Sequence, residues 1–178
     1  MRQDRGLGRR RRLARGGAAA AVLALAIWCA APASRPSAQP AGRNAANPLV
    51  GAWTLNAGRT HYGPGVEPRV RETFECVERA GDVACTIRSA HAGGRRVAGS
   101  FAAALDGRAR PVAGIAGIDR VVLRAAAGGA VDATFSRRGT PVFGYRAFRG
   151  GDGRSLSVVS VDPVSRAVLT TVVVYDAR

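Results

Sequence analysis

The chain has 178 residues, with 27 basic side chains against 12 acidic ones and a formal net charge of +15. That length holds one domain once a leader is set aside, and it excludes a large multidomain assembly. Every basic residue is arginine, and beyond the leader they stand singly or in pairs such as Arg95–Arg96 and Arg137–Arg138. The charge therefore reads as solvated surface, with no specific nucleic-acid partner.

The first 33 residues have the parts of a signal peptide. Arg9–Arg12 and Arg15 form a basic region, Ala18–Ala31 an apolar run, and Ala31-Pro32-Ala33 a small-residue cleavage site before Ser34. The apolar run is shorter than the roughly 20 residues of a spanning helix, so contact with a membrane is expected only if the leader stays uncleaved as an anchor. Cys29 as a lipidation site and Arg9–Leu13 as a twin-arginine signal are weaker variants of the same reading. Residues 34–46, rich in Pro, Ser, Ala and Asn, read as a flexible linker, and residues 47–178 as the folded domain. Export implies a periplasmic or extracellular location.

After the linker the pattern is strand after strand. Leu49–Leu55 opens it, and Asn56–Pro68, with its Gly and Pro residues, is an ordered loop. In Arg69–Arg79, Val70, Glu72, Phe74, Cys76 and Glu78 share one face and Arg69, Arg71, Thr73, Glu75 and Val77 the other. Asp82–Ser89 alternates likewise, with Val83, Cys85 and Ile87 on the apolar side. Arg96–Leu105 follows, Pro111–Gly117 is read as loop, and strands are placed at 119–125, 131–138, 141–148, 155–162 and 167–175. Nine short strands with short turns and no helical stripe predict an all-β, antiparallel up-and-down meander of about eight to ten strands. The last strand, apolar on both faces, would aggregate as a free edge, so closure into a barrel is expected.

The domain holds two cysteines. A two-residue turn at Ala80-Gly81 sets Cys76 directly opposite Cys85 on a non-hydrogen-bonded pair, where Cα atoms approach to about 4.5 Å and a disulfide fits. No metal site is expected, since further ligands at matching spacing are missing. His61 and His91 read as exposed loop histidines. Glu72 and Glu78 stand on the apolar face, where they either line a cavity or mark a solvated strand end; the solvated end is the preferred reading. No nucleophile elbow, phosphate-binding glycine loop or acid–base pair occurs, so no catalytic residue, no cofactor and no enzyme activity are assigned.

Gly51-Ala52-Trp53 is similar to the G-x-W that opens the first strand of lipocalins. NPLVGAWTLN, Tyr62-Gly63-Pro64-Gly65, Leu105-Asp106-Gly107-Arg108, Pro111-Val112 with Gly114, and Val172-Val173-Val174-Tyr175 together resemble a group of small exported lipocalin-like bacterial proteins of unknown function. The resemblance spans about Asn47–Tyr175 and implies a lipocalin-like barrel. It also implies that Trp53 plugs the closed end, often against an arginine, for which Arg166 and Arg178 are candidates. Phe74, Phe101, Phe135, Phe143 and Tyr145 are candidate cavity-lining residues. The expected function is non-enzymatic binding of a small apolar or amphipathic ligand, which calls for a void of about 300 Å³ or more. The alternative is an envelope protein-interaction or structural module with a filled core. The oligomeric state stays open.

Overall fold

The computed structural model describes residues 47–178; the expected leader and linker lie outside the described residues. Ten antiparallel strands close into one barrel. They are β1 (Gly51–Leu55), β2 (Arg69–Arg79), β3 (Asp82–His91), β4 (Arg96–Ala103), β5 (Asp106–Ala113), β6 (Arg120–Ala125), β7 (Val131–Arg137), β8 (Thr140–Arg149), β9 (Ser155–Val161) and β10 (Val168–Ala177). Each strand pairs with its neighbours in sequence and β1 closes on β10, through Trp53–Ala177, Thr54–Asp176 and Leu55–Tyr175. The expected up-and-down meander and its closure are what the chain forms, and the apolar last strand has partners on both sides.

The strand absent from the sequence reading is β5, where Pro111 had argued for a loop. Proline cannot donate to a ladder and is confined to positions with an unpaired side. β5 supplies such a position. It pairs with β4 only at Ala113–Ser100 and Val112–Phe101, and Pro111 pairs on its other side with Arg120 of β6.

Because the meander runs up and down, its turns gather at two ends. Residues 80–81, 104–105, 126–130 and 150–154 lie at one end with the start of β1; residues 56–68, 92–95, 114–119, 138–139 and 162–167 lie at the other. The first end is closed by the NPLVGAWTLN stretch. The Asn47 side chain accepts from the Leu49 N–H at 3.0 Å, which folds the entry into a turn. Leu49 is thereby buried, and its carbonyl accepts from the Trp53 indole N–H at 2.9 Å. Trp53 is 1% exposed. Its ring lies over Gly51, whose φ of +144° few other residues adopt and where a Cβ would stand 3.0 Å from the indole. The glycine of the G-x-W is therefore the floor on which the tryptophan rests. The arginine over the ring is neither expected candidate. Arg149 of β8 places its guanidinium 4.9 Å from the ring centroid and also donates to the Val50 carbonyl. Arg166 instead pairs with Asp132 at 2.8 Å, and Arg178 with Glu75 at 2.5 Å.

Above this plug the core is a layer of inward side chains including Cys76, Val83, Cys85, Phe101, Ala103, Leu123, Ala133 and Leu156. The turn between β2 and β3 has positive φ at both Ala80 (50°) and Gly81 (85°), the conformation that joins twisted strands through two residues. The register follows from it: Arg79–Asp82, Val77–Ala84 and Cys76–Cys85. The two cysteine Cα atoms are 4.1 Å apart and their sulfurs are at bonding distance, 2.04 Å.

Candidate functional site

The end away from Trp53 is hollow. A cavity of about 260 Å³ opens there, lined by residues of β2, β3, β4, β7, β8, β9 and β10 and by Ile115 of the β5–β6 loop. This falls just short of the expected 300 Å³, so the void is smaller than a pocket for a drug-sized ligand. It remains larger than an apolar void of about 150 Å³, which holds one benzene. Small inward residues do not create it. Ala103 and Ala133 are fully buried in the layer below, and the space above Gly99 is taken by the Ile115 side chain.

Four of the five expected lining residues are in place: Phe74, Phe135, Phe143 and Tyr145. Phe101 is not among them. It pairs across the sheet with Cys85, whereas the void begins at Ile87, one inward position nearer the open end. Phe101 instead supports the lining from below, edge-on to Phe135 at 5.9 Å. Phe135 in turn stacks on Phe143 at 4.6 Å and approaches Tyr145 at 5.6 Å. Tyr175 adds a further ring, 6.3 Å from Phe74.

The polar part of the site begins at a break in β2. Arg69 pairs with His91 and Arg71 with Ala90, so Val70 has no partner of its own and is a β-bulge. A bulge resets the alternation. Val70, expected inside, is 62% exposed, and Arg69, expected outside, turns into the barrel. There its guanidinium meets Glu72 Oε1 at 3.0 Å and the Tyr175 hydroxyl at 3.2 Å. The Tyr175 hydroxyl also donates to Glu72 Oε1 in a short contact. Glu72 is 5% exposed and lines the cavity. The preferred reading of Glu72 as a solvated strand end is thus overturned, while Glu78, at the far end of β2, is exposed as expected.

His91 is a second correction. β3 runs on to residue 91, and the alternation through Val83, Cys85 and Ile87 carries Ser89 and His91 inward as well. His91 is 9% exposed and lines the mouth. Arg95 donates to its Nδ1 at 2.8 Å. Arginine has donors only, so in that arrangement the ring proton sits on Nε2 and points to Ser89 Oγ at 3.3 Å. Glu67 binds Arg95 at 2.9 Å and reaches His91 at 3.4 Å. His61 is exposed; its backbone pairs with Val172 and holds the 56–68 loop against β10.

Burial sets the proton chemistry. It pushes the Tyr175 hydroxyl well above its ordinary pKa, and the neighbouring Glu72 charge adds to the rise. Tyr145 is raised by the same two causes in the same order. Both hydroxyls are therefore neutral hydrogen-bonding groups at neutral pH. Burial alone would lower the Arg69 pKa, yet the net shift is upward, with the Glu72 carboxylate beside it among the causes. The Tyr145 hydroxyl has no hydrogen-bond partner among the described residues, and neither does Glu72 Oε2. Neither atom is sealed in the protein; the sealed and unpartnered side-chain oxygen among the described residues is Asp119 Oδ1. Two of the lining residues thus keep a polar atom with bonding capacity unspent, in a void whose other walls are mainly aromatic and aliphatic, with Arg69, Ser89, His91 and Arg95 as the remaining polar members.

Such an arrangement can hold a small molecule by its apolar body and orient it by one polar end. Among the described residues no group of three or more His, Cys, Asp or Glu side chains is placed to hold a metal ion. No family model matches the chain, and no curated protein or solved structure is significantly similar to it.

Proposed function

We propose that this is an exported, lipocalin-like barrel that binds a small ligand non-covalently in the cavity at its open end. The observation that carries the reading is Glu72: a 95% buried carboxylate, held on one oxygen by Arg69 and Tyr175, with its other oxygen unpartnered beside an aromatic void. Burying an ion pair costs several kcal/mol of desolvation and is weak evidence for stability. A pair kept at the wall of a void is better explained by what it can hold. Export is supported by the leader, which precedes the described residues, and by the Cys76–Cys85 pairing, which suits a non-reducing compartment. The resemblance to small exported lipocalin-like proteins agrees with the barrel and with Trp53 on Gly51, and it brings no activity with it.

One observation favours the alternative, a protein-interaction module. Val66, Val142, Phe143, Val168 and Leu169 are all at least 40% exposed and share a groove of about 650 Å³ on the rim of the open end. That groove shares Arg69, Phe143, Tyr145 and Val158 with the cavity, so it serves equally as the approach for an apolar ligand. A thermal-shift screen of small aromatic and aliphatic compounds separates the two readings. A ligand in the cavity raises the melting temperature by mass action. It should do so in the wild type and not in a Val97→Trp variant, whose indole fills the void. Shifts that survive the filling would place binding on the outer rim and overturn the cavity reading.

A further inference from the structure

Resting on that reading, we propose that the ligand is a neutral molecule of one or two fused aromatic rings carrying a single hydrogen-bond donor, of the phenol, naphthol or indole kind. Size is the first constraint. The void itself, about 260 Å³, cannot enclose a whole long acyl chain or a tetrapyrrole, and exceeds the roughly 150 Å³ cavity that holds one benzene. The walls are the second. Phe74, Phe135, Phe143, Tyr145 and Tyr175 present ring faces and edges on several sides, the surroundings in which a flat π-system packs by offset and edge contacts.

The polar end is the third constraint, and it decides the donor. Glu72 Oε2 is an acceptor with no protein donor among the described residues, and the Tyr145 hydroxyl can both give and accept. A ligand O–H or N–H satisfies Glu72; an aromatic hydrocarbon leaves it unmet. Charge is the fourth. Both cations in the lining already have a carboxylate: Arg69 has Glu72 at 3.0 Å and Arg95 has Glu67 at 2.9 Å. An anionic ligand would meet Glu72, and a cationic one would meet Arg69, with no unmatched charge to reward either. The cavity is thus built for a donor without a charge.

Isothermal titration calorimetry at neutral pH tests this with five probes: 2-naphthol, naphthalene, 2-naphthoate, 2-naphthylmethylammonium and hexadecanoate. The expected order has 2-naphthol tightest, with naphthalene and both ions weaker by about tenfold or more, the worth of one good hydrogen bond to a charged group. Hexadecanoate should not bind. Tyr145→Phe, which removes only a hydroxyl, should weaken 2-naphthol by a factor of several and leave naphthalene unchanged. Naphthalene binding as tightly as 2-naphthol, or either ion binding more tightly, would overturn the ligand class while leaving a binding cavity. Failure of every probe to bind would count against the cavity reading itself.

Discussion

A methyl group on Gly51 would meet the Trp53 indole at 3.0 Å and would have to do so at φ +144°. A residue other than glycine in such a region costs about 1–3 kcal/mol. Gly51→Ala should therefore lower stability by that amount in urea denaturation, and an unchanged midpoint would show that the plug does not rest on this glycine. At the other end the pair Arg69–Glu72 is tested by contrast. Arg69→Ala leaves a buried carboxylate without its cation, at a cost of about 3 kcal/mol, whereas Arg69→Met with Glu72→Leu removes both charges and should cost less. A double variant less stable than the single one would mean that the pair stabilises the barrel outright. Arg146 and Asp132, on the outer wall, are the surface counterpart. They meet through two bonds of 2.8 and 3.0 Å, and the arginine hydrogen bonds hold the Asp132 carboxyl below its ordinary pKa.

The β2–β3 hairpin carries both the disulfide and the break that shapes the site. Joining Cys76 to Cys85 closes a short loop, so Cys76→Ala with Cys85→Ala should lose about 2–3 kcal/mol. Thiol labelling of denatured, unreduced protein should leave both residues unmodified; labelling at either would contradict the bond. Deleting Val70 is the sharper experiment. With Val70 gone, simple alternation from Glu72 inside and Arg71 outside carries Arg69 to the inner face, so Glu72 keeps its partner in a strand without a bulge. The variant should keep both the disulfide and any compound that shifts the wild-type melting temperature; lost binding would show that the bulge itself, and not only Arg69, shapes the site. The same hairpin shows how far the sequence could be read. Counting outward from Ala80-Gly81 placed all the pairs from Arg79–Asp82 to Cys76–Cys85, because a two-residue turn leaves the register no freedom. The alternation failed at Val70, since nothing in Arg69-Val70-Arg71 marks a bulge; the contacts that hold Arg69 inside join it to Glu72, three residues on, and to Tyr175 of the distant β10. His91 was legible in principle, as it continues the parity of Val83, Cys85 and Ile87, but the glycines at 93 and 94 drew the strand end too early. Arg149 over Trp53 had no sequence signal: nothing local ties residue 149 to the start of β1.

As a whole the molecule is a barrel closed at one end by its first strand and hollow at the other. Its buried phenols predict how it responds to alkali. Tyr145 and Tyr175 titrate above the ordinary value of 10.0 in the folded barrel. Between the unfolded and folded values the folded protein keeps protons that the unfolded chain has lost, so rising pH favours unfolding. Stability should be fully present below pH 10 and fall as the pH climbs past it. Urea midpoints at pH 8 and pH 11 should show that fall, and Tyr145→Phe with Tyr175→Phe should flatten it; an equal fall in the double variant would assign it to other groups. The barrel's reason for keeping a hollow end is tested most directly by native mass spectrometry of the protein purified from its source. A molecule too light for a long-chain lipid should travel with the wild type and be missing from Val97→Trp. Bare protein in both, or the same adduct on both, would contradict a ligand held in the cavity.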